Sequence, residues 1–266
     1  MTPPAQLKLW TPEWSVPGVG ALCTTREGGV SAPPYGSLNL GLHVGDDPAS
    51  VMANRLRVSQ AMQARPVWLN QVHGTEVLRL HGSPVDGLTA DAVCTTERGL
   101  ACTIMVADCL PVLFADPLGR VVAAAHAGWR GLAGPDEGGG VLDTTVAAVR
   151  GILSSEWGVA GPSPLLAWLG PCIGPNAFEV GPEVIRAFDR HGFEAAGLWR
   201  PHPVHAGKWL MDLAGLARQR LKALGVEEIG GNNGSPEWCT VSQSTLWFSH
   251  RRDRVSGRLA ACIWRI

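Results

Sequence analysis

From residue 100 to residue 126 the chain reads "LACTIMVADCLPVLFADPLGRVVAAAH". This stretch constrains the fold more than any other. A membrane span needs ~18 uninterrupted apolar residues, and Asp108, Pro111 and Asp116 break the run. Short apolar runs bounded by charged residues, Gly or Pro read instead as buried strands. The segment therefore predicts strands over 100–107, 110–115 and 120–126. Similar runs predict strands at 18–25, 66–72, 75–80, 91–95 and 165–170, with a last one in "RLAACIWRI".

Helices are predicted at four places. Residues 48–63 follow Asp47, a suitable N-cap, and begin with Pro48, which suits a first helical position. Others are expected over 140–154, near 181–190 and over 209–224. In the last, Leu210, Leu213, Leu216, Ala217, Leu221 and Leu224 fall on one face. Clustered strands with helices at intervals predict an α+β fold with mixed, largely antiparallel sheets. No linker interrupts the 266 residues, so one domain over 1–266 is expected, with 1–17 a peripheral N-terminal segment.

Several function classes are disfavoured. The net charge of −1 argues against broad attraction to nucleic acid or to an anionic membrane. "MTPPAQLKLWTPEW" lacks a charged start followed by a long apolar run, so no signal peptide is expected. Seven cysteines, an odd number without a CxxC pair, predict reduced thiols and a cytoplasmic setting.

Three strand ends carry candidate chemistry: His73 in "LNQVHGTEV", Cys109 in "VADCLPV" and His126 in "HAGWRG". A rigid strand aims such groups while the adjoining loop leaves them open. Two neutral imidazoles and a thiolate suit Zn²⁺, with a fourth position open to water or substrate. Without metal the same residues could form a Cys–His nucleophile system. The plainer alternative is that each is a core or loop residue, since lone cysteines in apolar runs are usually small buried hydrophobes. Cys109 resists that reading, because Asp108 beside it is costly in an apolar run unless partnered.

Arginines are the other resource. Arg26 in "TTREGGVS" and Arg130 in "GWRG" are candidate contacts for phosphate or carboxylate. Arg251 and Arg252 lie in "SHRRD", where a surface salt bridge from Arg252 to Asp253 is the alternative. Gly128 and Gly131 are expected to turn the "HAGWRG" loop through positive φ, and Trp129 to roof the core. P-loop and dinucleotide-binding glycine patterns are absent.

Taken in order, "TTREGGVS", "YGSLNLGLHVGDD", "NQVHG", "ADCLPVLFADP", "AHAGWRG", "GPCIGPNAFEV", "MDLAGLARQRLKALGV" and "FSHRRDRVSGR" resemble the bacterial YfiH-like family. It is also called the laccase-domain or multicopper polyphenol oxidoreductase family, and it is related to mammalian FAMIN. The resemblance implies a single-domain α/β/β/α layered fold, similar to a deamidating toxin that uses Cys and His. It also implies a zinc site of His73, Cys109 and His126, with copper as an alternative. The implied activity is phosphorolysis of adenosine, inosine, guanosine and methylthioadenosine, with deamination of adenosine. On that reading the three ligands are the catalytic centre of a monomer acting on a purine nucleoside and phosphate. Arg26 and Arg130 hold phosphate. Asp91 or Asp108 shuttles protons, its pKa raised by burial. Other functions attached to the family are amidohydrolysis that edits peptidoglycan precursors and copper-dependent polyphenol oxidation. The oxidase fits poorly, because the eight histidines form no His-x-His pair.

Overall fold

Residues 6–189 and 197–266 are described by the structure, a computed structural model. Along the chain, β1 (Leu9–Trp10) and β2 (Val19–Thr24) lead to α1 (Pro48–Met62). Then come β3 (Arg65–Trp68), β4 (Val77–Leu80), β5 (Ala92–Thr95), β6 (Leu100–Val106), β7 (Leu110–Ala115) and β8 (Val122–Ala127). Next are α2 (Trp129–Ala133), α3 (Val141–Trp157), β9 (Leu166–Leu169), β10 (Glu179–Val180) and α4 (Pro182–Asp189). The described chain ends with β11 (Trp199–Pro201), β12 (Trp209–Met211), α5 (Leu213–Ala223), β13 (Glu228–Gly231), α6 (His250–Asp253) and β14 (Leu259–Arg265).

The strands make two large sheets and one small one. Their orders are β1-β2-β14-β6-β3, β13-β9-β7-β8-β5-β4 and β10-β12-β11. Among the described residues the parallel ladders lie at sheet edges, β3 on β6, β4 on β5 and β13 on β9. All other ladders are antiparallel. The fold is the predicted α+β class.

The layering follows from strand periodicity. Successive side chains point to opposite faces. On β6, Cys102, Ile104 and Val106 enter a central core together with Leu113 of β7 and Val122 and Ala124 of β8, so the two large sheets pack face to face. Ala101 and Met105 point the other way and pack with Val58 and Met62 of α1. Ala123, Ala125 and Ala127 of β8 pack outward against Val146, Val149 and Leu153 of α3. Each fully buried side chain of that size contributes about 1.5–3 kcal/mol. Helices therefore cover both outer faces, and strands buried on both sides explain the nearly continuous apolar run at 100–126.

Several elements differ from expectation. Residues 209–211 form a strand between β10 and β11. The helix begins only after Asp212, whose carboxylate accepts from Gly215 N at 2.9 Å. An acid N-cap sets that boundary, and Leu210 belongs to the strand. Within the expected N-terminal segment, Trp10 packs edge-on against Trp238 and Trp247, at 4.9 and 5.0 Å, and residues 1–5 lie outside the described residues. Residue 190, the predicted end of the third helix, lies outside the described residues. The first helix matches expectation, with Asp47 accepting from Ala49 N and Ser50 N at 3.3 and 3.0 Å.

Candidate metal centre

The site lies where the chain crosses between the large sheets. β6 belongs to one and β7 to the other, and residues 107–109 make the crossing. β7 and β8 form an antiparallel pair with His126 opposite Pro111 and Ala127 opposite Leu110. The end of β8 thus returns to the start of β7. This brings His126 beside Cys109 despite the 17 intervening steps of sequence (126 − 109).

His73 comes from the loop between β3 and β4. The side chain of Gln71 holds that loop to β6. Its amide nitrogen donates to Met105 O and its carbonyl accepts from Met105 N, both at 2.8 Å. Asp91, fully buried, clamps the same loop by accepting from Val72 N (3.1 Å), His73 N (2.9 Å) and Gly74 N (2.7 Å). His73 adopts φ +62°, a left-handed conformation that these bonds impose.

Asp91 also meets His126 Nδ1 at 2.8 Å. An ionised carboxylate can only accept, so Nδ1 carries a hydrogen and Nε2 is the nitrogen left for Cys109 or a metal. A carboxylate behind a histidine fixes ring orientation in this way at metal sites. Burial alone would raise the pKa of Asp91. The bonds from His126 and the loop amides outweigh it and hold the carboxyl below its ordinary value. The expected proton-shuttling acid at Asp91 is therefore corrected: it stays ionised and orients.

Cys109 Sγ lies 3.7 Å from His73 Nε2. The ligand atoms of His73, Cys109 and His126 all fall within 4.8 Å of one another. Burial pushes the Cys109 thiol up, but the charge and hydrogen bond of His126, with those of His73, bring it down to about 6. Burial pushes His126 the other way from Cys109 and Asp91, which raise it to about 9. The pair is thus a thiolate and an imidazolium in the absence of metal, and a cation can replace the shared proton.

The acid in the apolar run has its partners. Asp108, at φ +89°, accepts from Thr240 Oγ1 and from Arg251 N, both at 2.6 Å. It pins the crossing to the C-terminal segment. The carboxylate reaches the cavity wall.

Gly128 and Gly131 were expected at positive φ, and neither adopts it. Gly128, at φ −66°, precedes α2, and the stretch expected to be a loop is a strand end followed by a short helix. What requires glycine at 128 is space: a Cβ there would sit 2.8 Å from His73 Cδ2 and 3.0 Å from Cys109 Sγ.

The three side chains open into a cavity of about 540 Å³. Trp129 and Arg130 are on its wall, the guanidinium of Arg130 lying 4.4 Å from the Trp129 ring. Trp129 also packs against the helix-side core, so it both roofs the core and faces the cavity. Arg26 is not brought here. Its Nε donates to Gly36 O (3.0 Å), its Nη1 to Ser244 O (2.8 Å), and it covers the Phe248 ring. Those contacts leave it a structural residue, not the expected phosphate contact. Arg252 pairs with Asp253 at 2.7 Å and holds three backbone carbonyls. Arg251, its neighbour, does reach the cavity, as do Arg254, Arg258, His43 and His250. The sequence named Arg251 among its available arginines without assigning it a ligand, and gave no site role to Arg254, Arg258, His43 or His250. For all of them but His43 the available signal was the density of basic residues in "SHRRDRVSGR".

Met105 also borders the cavity. Its sulfur lies 3.9 Å from Arg55 Nη2 on the α1 side of the sheet, which does not suit an axial metal ligand. A second cluster, Glu179, His202 and His205, is compact enough to draw comparison. There the two imidazoles stack at 4.4 Å and 6°, so their lone pairs run parallel instead of converging. His202 Nδ1 accepts from Val204 N and His205 N, at 3.1 and 3.0 Å. This leaves the ring hydrogen on Nε2, facing Glu179. Both ring nitrogens of His202 and Nδ1 of His205 are spent on Glu179 and backbone amides.

Comparison with known proteins agrees with the fold. Residues 20–266 match the family described as multi-copper polyphenol oxidoreductase laccase. The chain is 47% identical over 262 residues to the purine nucleoside phosphorylase YfiH of Escherichia coli (strain K12), covering 97% of this chain and 99% of that one. A crystal structure of Neisseria meningitidis protein NMB0706 superposes with TM-score 0.83 at 44% identity, over 97% of this chain and 98% of that one. YlmD from Geobacillus stearothermophilus gives TM-score 0.80 at 33% identity, over 94% and 92%. The chain that carries this His–Cys–His centre is a member of the YfiH-like, laccase-domain family.

Proposed function

We propose that this chain is a zinc-dependent purine nucleoside phosphorylase that also deaminates adenosine. The observation that carries the reading is the juxtaposition of His73, Cys109 and His126 with a cavity walled by Trp129 and by arginines. The residues fit a soft-to-borderline divalent ion: a low-pKa thiolate, an imidazole with Nδ1 committed to Asp91, and a second imidazole on a clamped loop. Zinc held by this set would supply Lewis-acid polarisation of a substrate group.

In phosphorolysis a phosphate oxygen bonds to C1′ of the ribose while the C1′–N9 bond breaks. Its electron pair passes to the purine, and the products are free base and ribose 1-phosphate. In deamination, water replaces the C6 amino group of adenosine and ammonia leaves. For both, the chain must bind the base and exclude bulk water, and for the first it must also hold an anion. Trp129 offers an aromatic surface for the base, and the arginines offer donors for phosphate. Leu69, Ile173 and Leu213 on the wall suit the apolar end of methylthioadenosine. Copper oxidase chemistry is disfavoured by the donor set: two histidines and one cysteine converge here, far short of a four-copper array. We read the chain as one domain acting as a monomer. The seven free cysteines support a reducing, cytoplasmic setting, and no helix among the described residues is long and apolar enough to cross a membrane.

The test is direct. Zinc-loaded protein is given adenosine with and without phosphate, and adenine, inosine and hypoxanthine are followed by chromatography. Phosphate-dependent adenine is expected, and Cys109→Ala should abolish it. No turnover by the wild type, or full turnover by the variant, overturns the proposal. The thiolate–imidazolium pair of Cys109 and His126 favours a second reading, a cysteine amidohydrolase acting on peptidoglycan precursors. Release of amino acid from a muramyl–amino acid nucleotide by metal-free protein would favour it over the first.

A further inference from the structure

Four arginines, Arg130, Arg251, Arg254 and Arg258, reach the cavity of the His–Cys–His centre. Among the described residues no carboxylate forms an ion pair with any of them. They differ in how firmly they are held. Arg130 and Arg254 are exposed. Arg251 is tied down, its Nη1 donating to Glu179 O at 3.0 Å.

Arg258 is half-buried and fixed. Its backbone N donates to Asn39 Oδ1 at 2.8 Å, and its Nη1 donates to Ser256 O at 2.9 Å and Gly257 O at 3.2 Å. Its stem leaves no room for a side chain at Gly41, where a Cβ would lie 2.8 Å from Arg258 Cγ. One nitrogen is thus committed, the plane is set, and Nε and Nη2 have no hydrogen-bond partner among the described residues. Burial disfavours its charge, while the nearby charges of Cys109 and Asp108 favour it. Neither of those groups is free to pair with it fully. Asp108 is the one carboxylate on the cavity wall and already accepts from Thr240 and Arg251, and Cys109 faces the two histidines. A half-enclosed guanidinium with open donors and no committed counter-charge is unfavourable until an anion arrives.

We propose that Arg258 anchors the phosphate co-substrate in this cavity, presenting Nε and Nη2 to a tetrahedral oxyanion beside the metal centre. The assignment rests on the phosphorylase reading for the identity of the anion. It moves the phosphate site away from Arg26 and leaves Arg130 and Arg254 as exposed, auxiliary cations at the cavity mouth. Planar two-point donation to an oxyanion is what distinguishes arginine from lysine, so the conservative variant is informative.

The experiment uses the zinc-loaded full chain. The KM for phosphate is measured at saturating nucleoside, and the KM for nucleoside at saturating phosphate. Arg258→Gln is expected to raise the phosphate KM at least about tenfold with little change in nucleoside KM, and Arg258→Lys to restore part of it. An unchanged phosphate KM, an equal rise in both constants, or loss on Arg130→Gln alone overturns the assignment. The unmutated protein gives a second measurement that does not depend on variants folding. Phenylglyoxal modification, mapped by peptide mass spectrometry, is expected at Arg258 and is expected to be suppressed by inorganic phosphate. Equal modification with and without phosphate, or protection by adenosine 5′-monophosphate only, refutes the site as one for free phosphate. The two proposals fail separately. Phosphate protection of Arg258 without base release sinks the phosphorylase reading and leaves the anion site. Phosphorolysis indifferent to Arg258→Gln does the reverse.

Discussion

Asp91→Asn isolates what a single buried carboxylate does for this centre. Asp91 accepts four hydrogen bonds, from Val72 N, His73 N, Gly74 N and His126 Nδ1, at 2.7–3.1 Å. Asparagine keeps the shape but turns one oxygen into a donor. Val72 N and Gly74 N share one oxygen, and His73 N and His126 Nδ1 share the other. Either amide orientation therefore sets two donors against a donor. Hydrogen bonds to a charged group contribute about 1.5–3 kcal/mol each, so the loss is about 3–6 kcal/mol before relaxation. That is a large fraction of the ~5–15 kcal/mol that typically separates folded from unfolded chains. If the amide nitrogen faces His126, the hydrogen shifts to Nε2 and blocks that ligand. If it faces the loop, His73 loses its clamp. Loss of such an orienting partner weakens metal binding by about 10–100-fold. Zinc competition against a chromophoric chelator, with urea unfolding of the metal-free protein, reads both quantities. Zinc affinity within threefold of wild type together with an unfolding free energy within about 1 kcal/mol would refute the reasoning.

Four further outcomes are expected. In metal-free protein Cys109, the one cysteine that is not fully buried, should alkylate selectively, with a rate rising through about pH 6 instead of ~8.5. Zinc should protect it, and mass spectrometry of iodoacetamide-treated protein checks both. Gly128→Ala places a methyl 2.8 Å from His73 Cδ2 and 3.0 Å from Cys109 Sγ, so zinc affinity should fall more than about tenfold while far-UV circular dichroism is unchanged. Asp91 has a folded pKa below its unfolded value, so its stabilisation is present above about pH 4 and is lost as pH falls through the lowered folded value. The stability gap between wild type and Asp91→Asn should close below that point, and a gap constant from neutral to acid would count against the clamp. Trp10→Ala removes the edge contacts to Trp238 and Trp247 and should cost about 2–3 kcal/mol in urea unfolding, somewhat less than a fully buried aromatic.

The sequence made the strands of the core legible because their punctuation is chemical: Asp108 ends one apolar run and Asp116 the next, and the structure turns near both. The strand at 209–211 was hidden because Leu210 happens to fit the helical stripe of α5, and a pairing with β10 and β11 overrides it. The strand-end argument nominated His73, Cys109 and His126; the structure puts Cys109 and His126 at strand ends and His73 in mid-loop, and brings all three together. What could not be read was which way a polar group turns. Arg26 and Arg258 both lie within two residues of a glycine in the sequence, yet one covers Phe248 and the other reaches the cavity. Arg251 and Arg252 are adjacent, and only the first lines the site. For Arg26 and Arg251 the outcome turns on backbone carbonyls far away in sequence, Ser244 O on the first and Glu179 O on the second.

The arrangement also explains why the centre draws its ligands from three separate connections. β5 lies between β4 and β8 in its sheet, and Asp91 immediately precedes it. One of its oxygens contacts both the His73 amide and the His126 ring, and the other holds the two amides flanking His73. A displacement of that carboxylate would therefore move two ligands at once. Cys109 is independent of it, held by Asp108 through Thr240 and the Arg251 amide. The centre has two separate supports, one for the histidines and one for the thiolate. Damage to the histidine support should leave a reactive, unligated thiolate, whose pKa rises because His126 no longer faces it squarely. Damage to the thiolate support should leave His126 still bonded to Asp91. Alkylation kinetics of Cys109 in Asp91→Asn and Thr240→Val proteins separate these cases. Asp91→Asn should shift the pH midpoint upward, whereas Thr240→Val should change accessibility with the midpoint retained, and identical profiles would mean the supports are not separate.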